Sequence, residues 1–167
     1  MLKKVRISIH TKQQEIGGTL FDAPKGSSAT TQAINAEPQE MELMFEGRYY
    51  DDGTRISISY KEGEITGMDN SRTAISFQKS EPALITMTRD GAVRTALVFE
   101  EGRRHLCVYQ TPFMPFEVAV KTKQVQNRIE ENGTLRMQYT VELKGANAEQ
   151  TDFSLTLLPD TNAPTSK

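Results

Sequence analysis

Polar and apolar residues alternate one for one along most of this chain, a period that suits a β-strand with one buried face and fits little else. The longest run sets Leu135, Met137, Tyr139, Val141 and Leu143 against Arg136, Gln138, Thr140, Glu142 and Lys144. Val5, Ile7 and Ile9 alternate with Arg6, Ser8 and His10, and Met41, Leu43 and Phe45 with Glu40, Glu42 and Met44. Ile56, Ile58 and Tyr60 repeat the pattern, as do Thr73, Ile75 and Phe77, then Val93, Leu97 and Phe99. Phe116, Val118 and Val120, and finally Phe153, Leu155 and Leu157, close the series. A buried helix face needs a repeat near 3.6 residues. Lys121–Glu131 comes nearest to one, and its apolar spacing is weak.

Turn residues punctuate these runs: Asp51-Asp52-Gly53, Glu62-Gly63, Asp90-Gly91, Glu101-Gly102, Asn132-Gly133 and Lys144-Gly145. Asp-Gly and Asn-Gly suit tight hairpins because they tolerate the positive φ that such turns require. Pro82 and the stretch from Pro112 to Pro115 mark two further breaks, since proline has no N–H for a ladder. Short connections favour antiparallel neighbours, and a twisted sheet of this many strands closes on itself to remove its edges. The expected fold is all-β: an antiparallel meander closed into a barrel of about 8–10 strands.

At 167 residues the chain fits one domain. It is read as a barrel over 1–158, with a tail at 159–167. Within it, residues 13–39 carry Gly, Ser, Thr, Ala and Gln with scattered apolar residues, the composition of a flexible loop. The alternative for that segment is a lid, with Leu20-Phe21 as its apolar tip.

Charge and composition exclude several function classes. Acidic and basic residues are interspersed with a net charge of −2, so the concentrated basic face of a nucleic-acid binder is missing. No apolar run approaches the length of a membrane span, and the opening Met1-Leu2-Lys3-Lys4-Val5-Arg6 lacks the apolar core of an export signal. Cys107 is the lone cysteine, which points to a reducing cytoplasm. His10 and His105 are the only histidines, too few with one thiol for a His/Cys metal site. No phosphate-binding glycine loop or nucleophile elbow occurs, so neither a cofactor nor an enzymatic activity is expected. His105 and Cys107 share a strand face, which fits a satisfied histidine and a small core thiol better than a reactive pair.

Several of these segments together resemble the YwiB-like family of bacterial domains of unknown function. The resemblance runs through Glu46-Gly47-Arg48-Tyr49-Tyr50, Ile58-Ser59-Tyr60-Lys61-Glu62, Thr66-Gly67-Met68 and Arg89-Asp90-Gly91. It continues in Phe99-Glu100-Glu101-Gly102, Tyr109-Gln110-Thr111-Pro112, Val120-Lys121-Thr122 and Glu131-Asn132-Gly133. It implies a calycin-type barrel, related in shape to lipocalins, and implies no activity. Two features depart from the family pattern: the long segment 13–39, and Phe113-Met114-Pro115 where the family has a glycine-containing turn.

Small barrels either fill their interior with side chains or keep room for one ligand. Most inward positions here are aliphatic or aromatic, and Tyr60, Arg89, Tyr109, Thr122 and Tyr139 fall in the same phase. An apolar cavity with a few convergent polar groups is the usual form of a small-molecule site. An inward Arg89 would need a partner, which a ligand carboxylate or phosphate could supply. Alternatively Arg89 ends its strand at Asp90-Gly91 and reaches solvent, the commoner fate of an arginine. The functional expectation is therefore non-catalytic binding of a small, partly apolar or amphipathic anion, with no nucleic-acid or membrane partner. The competing expectation is a protein-interaction module that uses Tyr49, Tyr50, Phe113, Met114 and Phe116 at strand ends.

Overall fold

The computed structural model describes residues 2–16, 38–62, 71–143 and 148–159. Ten strands follow one another: β1 (Leu2–Ile16), β2 (Gln39–Asp51), β3 (Arg55–Lys61), β4 (Arg72–Gln78), β5 (Glu81–Asp90), β6 (Arg94–Glu100), β7 (Arg104–Gln110), β8 (Pro115–Arg128), β9 (Thr134–Leu143) and β10 (Ala148–Pro159). Each pairs antiparallel with its neighbours in sequence, and β1 pairs with β10 as well as β2, so the sheet is a closed barrel. The alternation anticipated this architecture because every strand has one face on the interior.

Gly53, Gly102 and Gly133 take the positive φ expected of their turns, whereas Gly91 does not, and the Gly63 and Gly145 turns lie outside the described residues. At Asp51–Arg55 the Asp52 carboxylate accepts hydrogen bonds from the Thr54 and Arg55 amides, and Gly53 takes φ 92°. At the same end of the barrel a single helical turn, α1 (Ile129–Asn132), buries Ile129 and stops at Gly133, whose φ is 77°. This end is solid. Ile7, Ile56, Ile75, Ile85, Phe99, Leu135 and Leu155 fill it with almost no exposure. Gly47 lets β1, β2 and β3 approach closely, since a Cβ there would collide with Ile7 Cδ1 and the Ser59 carbonyl oxygen.

Some boundaries differ from those expected. Residues 13–16 belong to β1 rather than to a loop: Gln13 to Ile16 pair with Thr151 to Ala148, and Gln39 opens β2 opposite Gln13. Polar side chains do not prevent this, because the backbone groups pair with β10, and at Gln13 with β2 as well, whatever their side chains. The stretch 17–37, with Leu20-Phe21, lies outside the described residues; of the tail at 159–167, Pro159 ends β10 opposite Val5 and the rest lies outside them as well. Most of Lys121–Glu131 is strand, since β8 runs to Arg128 before the turn of α1. Pro82 sits near the start of β5, beside the shift in β4–β5 register, where no ladder bond requires its N–H.

Candidate functional site

The opposite end of the barrel is hollow. Strand alternation carries it there: Ile58 and Tyr60 lead to Glu62, Ile85 and Met87 to Arg89, Cys107 to Tyr109, and Met137 to Tyr139. Tyr60, Glu62, Met87, Arg89, Tyr109 and Tyr139, with Ile9, Leu43, Phe45, Leu97, Val141, Thr151 and Phe153, line a cavity of about 290 Å³ that opens at the barrel mouth. That is roughly ten times the ~30 Å³ a water occupies in the liquid, and close to the lower bound of small-molecule sites. Its walls differ. The β1–β2 side is largely apolar, with Ile9, Met41, Leu43 and Phe45, while β3, β5, β7 and β9 supply the phenols and charges.

An ion pair anchors the polar wall. Arg89 Nη2 lies 3.1 Å from Glu62 Oε1, with the glutamate side chain 5% and the arginine 22% exposed. Thr73 ties the pair together: its hydroxyl donates to Glu62 Oε1 at 2.9 Å and accepts from Arg89 Nε at 3.4 Å. Two of the five guanidinium N–H groups are thus committed, and the others have no partner among the described residues. A charge this buried persists only when paired, so Glu62 and Arg89 require each other.

Three tyrosines surround the guanidinium. Tyr60 stacks on Phe45 with ring centroids 4.6 Å apart, and Tyr139 packs against Phe99 at the same distance. Tyr109 leans on Phe116 at 5.2 Å, close to the rim. Burial pushes all three phenols up from their ordinary range, and the Glu62 charge raises Tyr60 further, while Arg89 opposes the rise at each. At neutral pH they are therefore neutral hydroxyls, able to donate and accept.

Of the five residues expected to face a ligand, Tyr60, Arg89, Tyr109 and Tyr139 line this cavity together. Thr122 does not. It is buried opposite Tyr139 in the β8–β9 ladder, next to the register shift, and its hydroxyl has no partner among the described residues. Arg89 does not reach past the Asp90-Gly91 turn to solvent; it turns inward and finds its counter-charge in Glu62. Sequence reasoning assigned Glu62 to a turn and missed it. The signal was present, because Ile56, Ile58, Tyr60 and Glu62 hold one phase. Thr73 was read correctly as inward, though not as a partner of the pair.

The aromatic strand ends do not form one patch. Tyr49 and Tyr50 pair with Lys3 and Leu2 toward the solid end, whereas Phe113, Met114 and Phe116 sit at the mouth. Thr111 shapes the β7–β8 turn by accepting from the Phe113 and Met114 amides and donating to the Met114 carbonyl, which leaves Phe113 94% exposed. His105 Nε2 meets Glu100 Oε1 at 3.0 Å, and buried Cys107 points to the His105 carbonyl oxygen, so imidazole and thiol are not paired.

A family model described as a domain of unknown function, DUF1934, matches residues 27–155. The chain belongs to this family. A DUF1934 fold is thus a ten-stranded antiparallel barrel in this protein, of calycin-like form. The chain is also similar to the crystal structure of ywiB protein from Bacillus subtilis. The two are 16% identical, superpose with a TM-score of 0.58, and cover 93% of this chain and 94% of that one. This similarity shows a shared fold, as the YwiB-like segments implied. No curated protein matches the chain. Among the described residues no helix is long and apolar enough to cross a membrane.

Proposed function

We propose that this DUF1934 barrel is a non-catalytic binder of a small, partly apolar molecule, which it holds in the mouth cavity by an anionic group. One observation carries the reading: a cavity of about 290 Å³ in which apolar walls converge on a guanidinium with N–H groups to spare. A carboxylate or phosphate oxygen accepting from those N–H groups gains a charge-assisted hydrogen bond without breaking the Glu62 pair. The three neutral phenols supply further donors, and the β1–β2 wall receives the apolar body. The absence of chemistry in this reading rests on how the ionisable groups are spent: Glu62, Thr73 and Arg89 are occupied with one another. A cytoplasmic location is part of the proposal, supported by the single free thiol of Cys107.

The test is native mass spectrometry of protein purified gently from its source cells, beside a Leu43→Trp variant whose indole fills the cavity. A small molecule retained by the native protein and lost from the variant supports binding. Equal spectra from both, with no bound mass, refute it. A second reading has one observation in its favour, the hydrogen-bonded Thr111 turn that holds Phe113 and Met114 in solvent. A protein partner anchored there would be lost on Phe113→Ser, because aromatic anchors carry most interface energy.

A further inference from the structure

Charge is unevenly distributed around the mouth. Arg89 stands on β5 with Glu62 as its counter-ion. Thr151 and Phe153 of β10 line the cavity, and strand alternation puts Glu149 on the same face, one step nearer the opening. Glu15 is the direct partner of Glu149 across the β1–β10 ladder, one step beyond Gln13, which lines the cavity too. In the ten-strand order β10 is five places from β5 in either direction, so Arg89 and Glu149 occupy opposite walls. Both charges bear on the same two phenols, Tyr109 and Tyr139, which lie between them.

The far wall is uncompensated. Burial, and then the facing Glu15, raise the Glu149 carboxyl above its ordinary range. Like charges directly opposite each other destabilise a ladder. Among the described residues no lysine or arginine pairs with either carboxylate. Among the described residues, the inward face of the mouth half therefore carries one guanidinium, of Arg89, against the three carboxylates of Glu62, Glu15 and Glu149, with the excess negative charge on the side away from Arg89.

We propose that the ligand is a zwitterion: a small amino acid, or another amine-bearing carboxylate with an apolar body. Its carboxylate lies on the free N–H groups of Arg89, its ammonium lies toward Glu149 and Glu15, and its body rests on the β1–β2 wall. This rests on the cavity being a binding site, and it adds the cationic group that an anion alone would lack. A plain anion would have to enter past the two rim carboxylates, whereas the ammonium of a zwitterion offsets part of their charge.

Ligand-observed NMR titration of the full chain with matched probes tests this. Phenylalanine, 3-phenylpropionate and 2-phenylethylamine share one body and differ only in charged groups. Leucine, 4-methylpentanoate and 3-methylbutylamine form a second set. The amino acid of at least one set is expected to bind about tenfold or more tighter than its anion and its amine, the scale of one charge-assisted hydrogen bond. In Glu149→Gln that advantage over the anion should disappear, while the anion binds as well as before or better. Anions that match the amino acids in affinity, with no effect of Glu149→Gln, overturn the zwitterion and leave the binding reading standing. Amines that bind best overturn the role of Arg89. Binding of no probe in either set counts against both readings.

Discussion

Removing Arg89 should destabilise the protein far more than an ordinary rim substitution, and a double-mutant cycle with Glu62 should show why. In Arg89→Met the Glu62 carboxylate, 5% exposed, keeps only the Thr73 hydroxyl as a partner among the described residues. Breaking a buried ion pair from one side costs about 3–5 kcal/mol. The arginine side chain is 22% exposed, so water at the mouth screens part of the stranded charge, and the expected loss is about 2–3 kcal/mol. For a chain of this size that lowers the midpoint of thermal unfolding by about 5–10 °C. Glu62→Gln should cost less, about 1–2 kcal/mol, because the unpaired guanidinium it leaves is nearer to water. The pair of changes together removes both charges, and its cost should fall short of the summed single costs by more than about 1 kcal/mol. Urea unfolding of the four proteins measures this, provided their m-values agree. Costs that add to within about 0.5 kcal/mol would refute the account of Glu62 and Arg89 as mutually dependent.

Three other perturbations have definite expected outcomes. Because Glu149 binds its proton more tightly in the folded barrel than in the unfolded chain, it subtracts stability as pH rises past about 4.3 and through its raised folded value. Glu149→Gln should accordingly unfold at a higher temperature than the native protein at pH 7 and at about the same temperature near pH 3.5; the opposite pH trend would contradict the stated cause. Gly47→Ala should lose about 1–3 kcal/mol in chemical denaturation, since its methyl group meets Ile7 and the Ser59 backbone, and a neutral result would mean the three strands are less closely set. Phe113→Ser should change stability by no more than about 0.5 kcal/mol, because the ring touches little of the fold, and a larger loss would place it in the barrel's packing.

The barrel was legible because strand alternation is a local property: Ile56, Ile58 and Tyr60 reveal a buried face without knowledge of what they face. The same property placed Tyr60, Arg89, Tyr109 and Tyr139 inside. What stayed hidden depends on register and tilt between strands. Thr122 shares the inward phase, yet the displacement of β8 buries it away from the cavity. Glu62 was concealed by Gly63, whose turn signal outweighed a phase that continued one residue further. Whether Arg89 meets solvent or a counter-charge is a question about β3 and β4, which no pattern within β5 can answer. Strand length was also underestimated at 13–16, where mostly polar residues pair through their backbones with β10 and leave no alternating apolar signature.

The claim that the mouth half is an open, ligand-holding cavity is tested most directly by a high-resolution crystal structure of protein purified from its source cells. The account predicts electron density between the β1–β2 wall and the Arg89 guanidinium that solvent does not explain, with the Glu62–Arg89 pair intact beside it. A mouth half closed by its own side chains, with Tyr109, Met87 and Leu43 in mutual contact and no space between them, would contradict it.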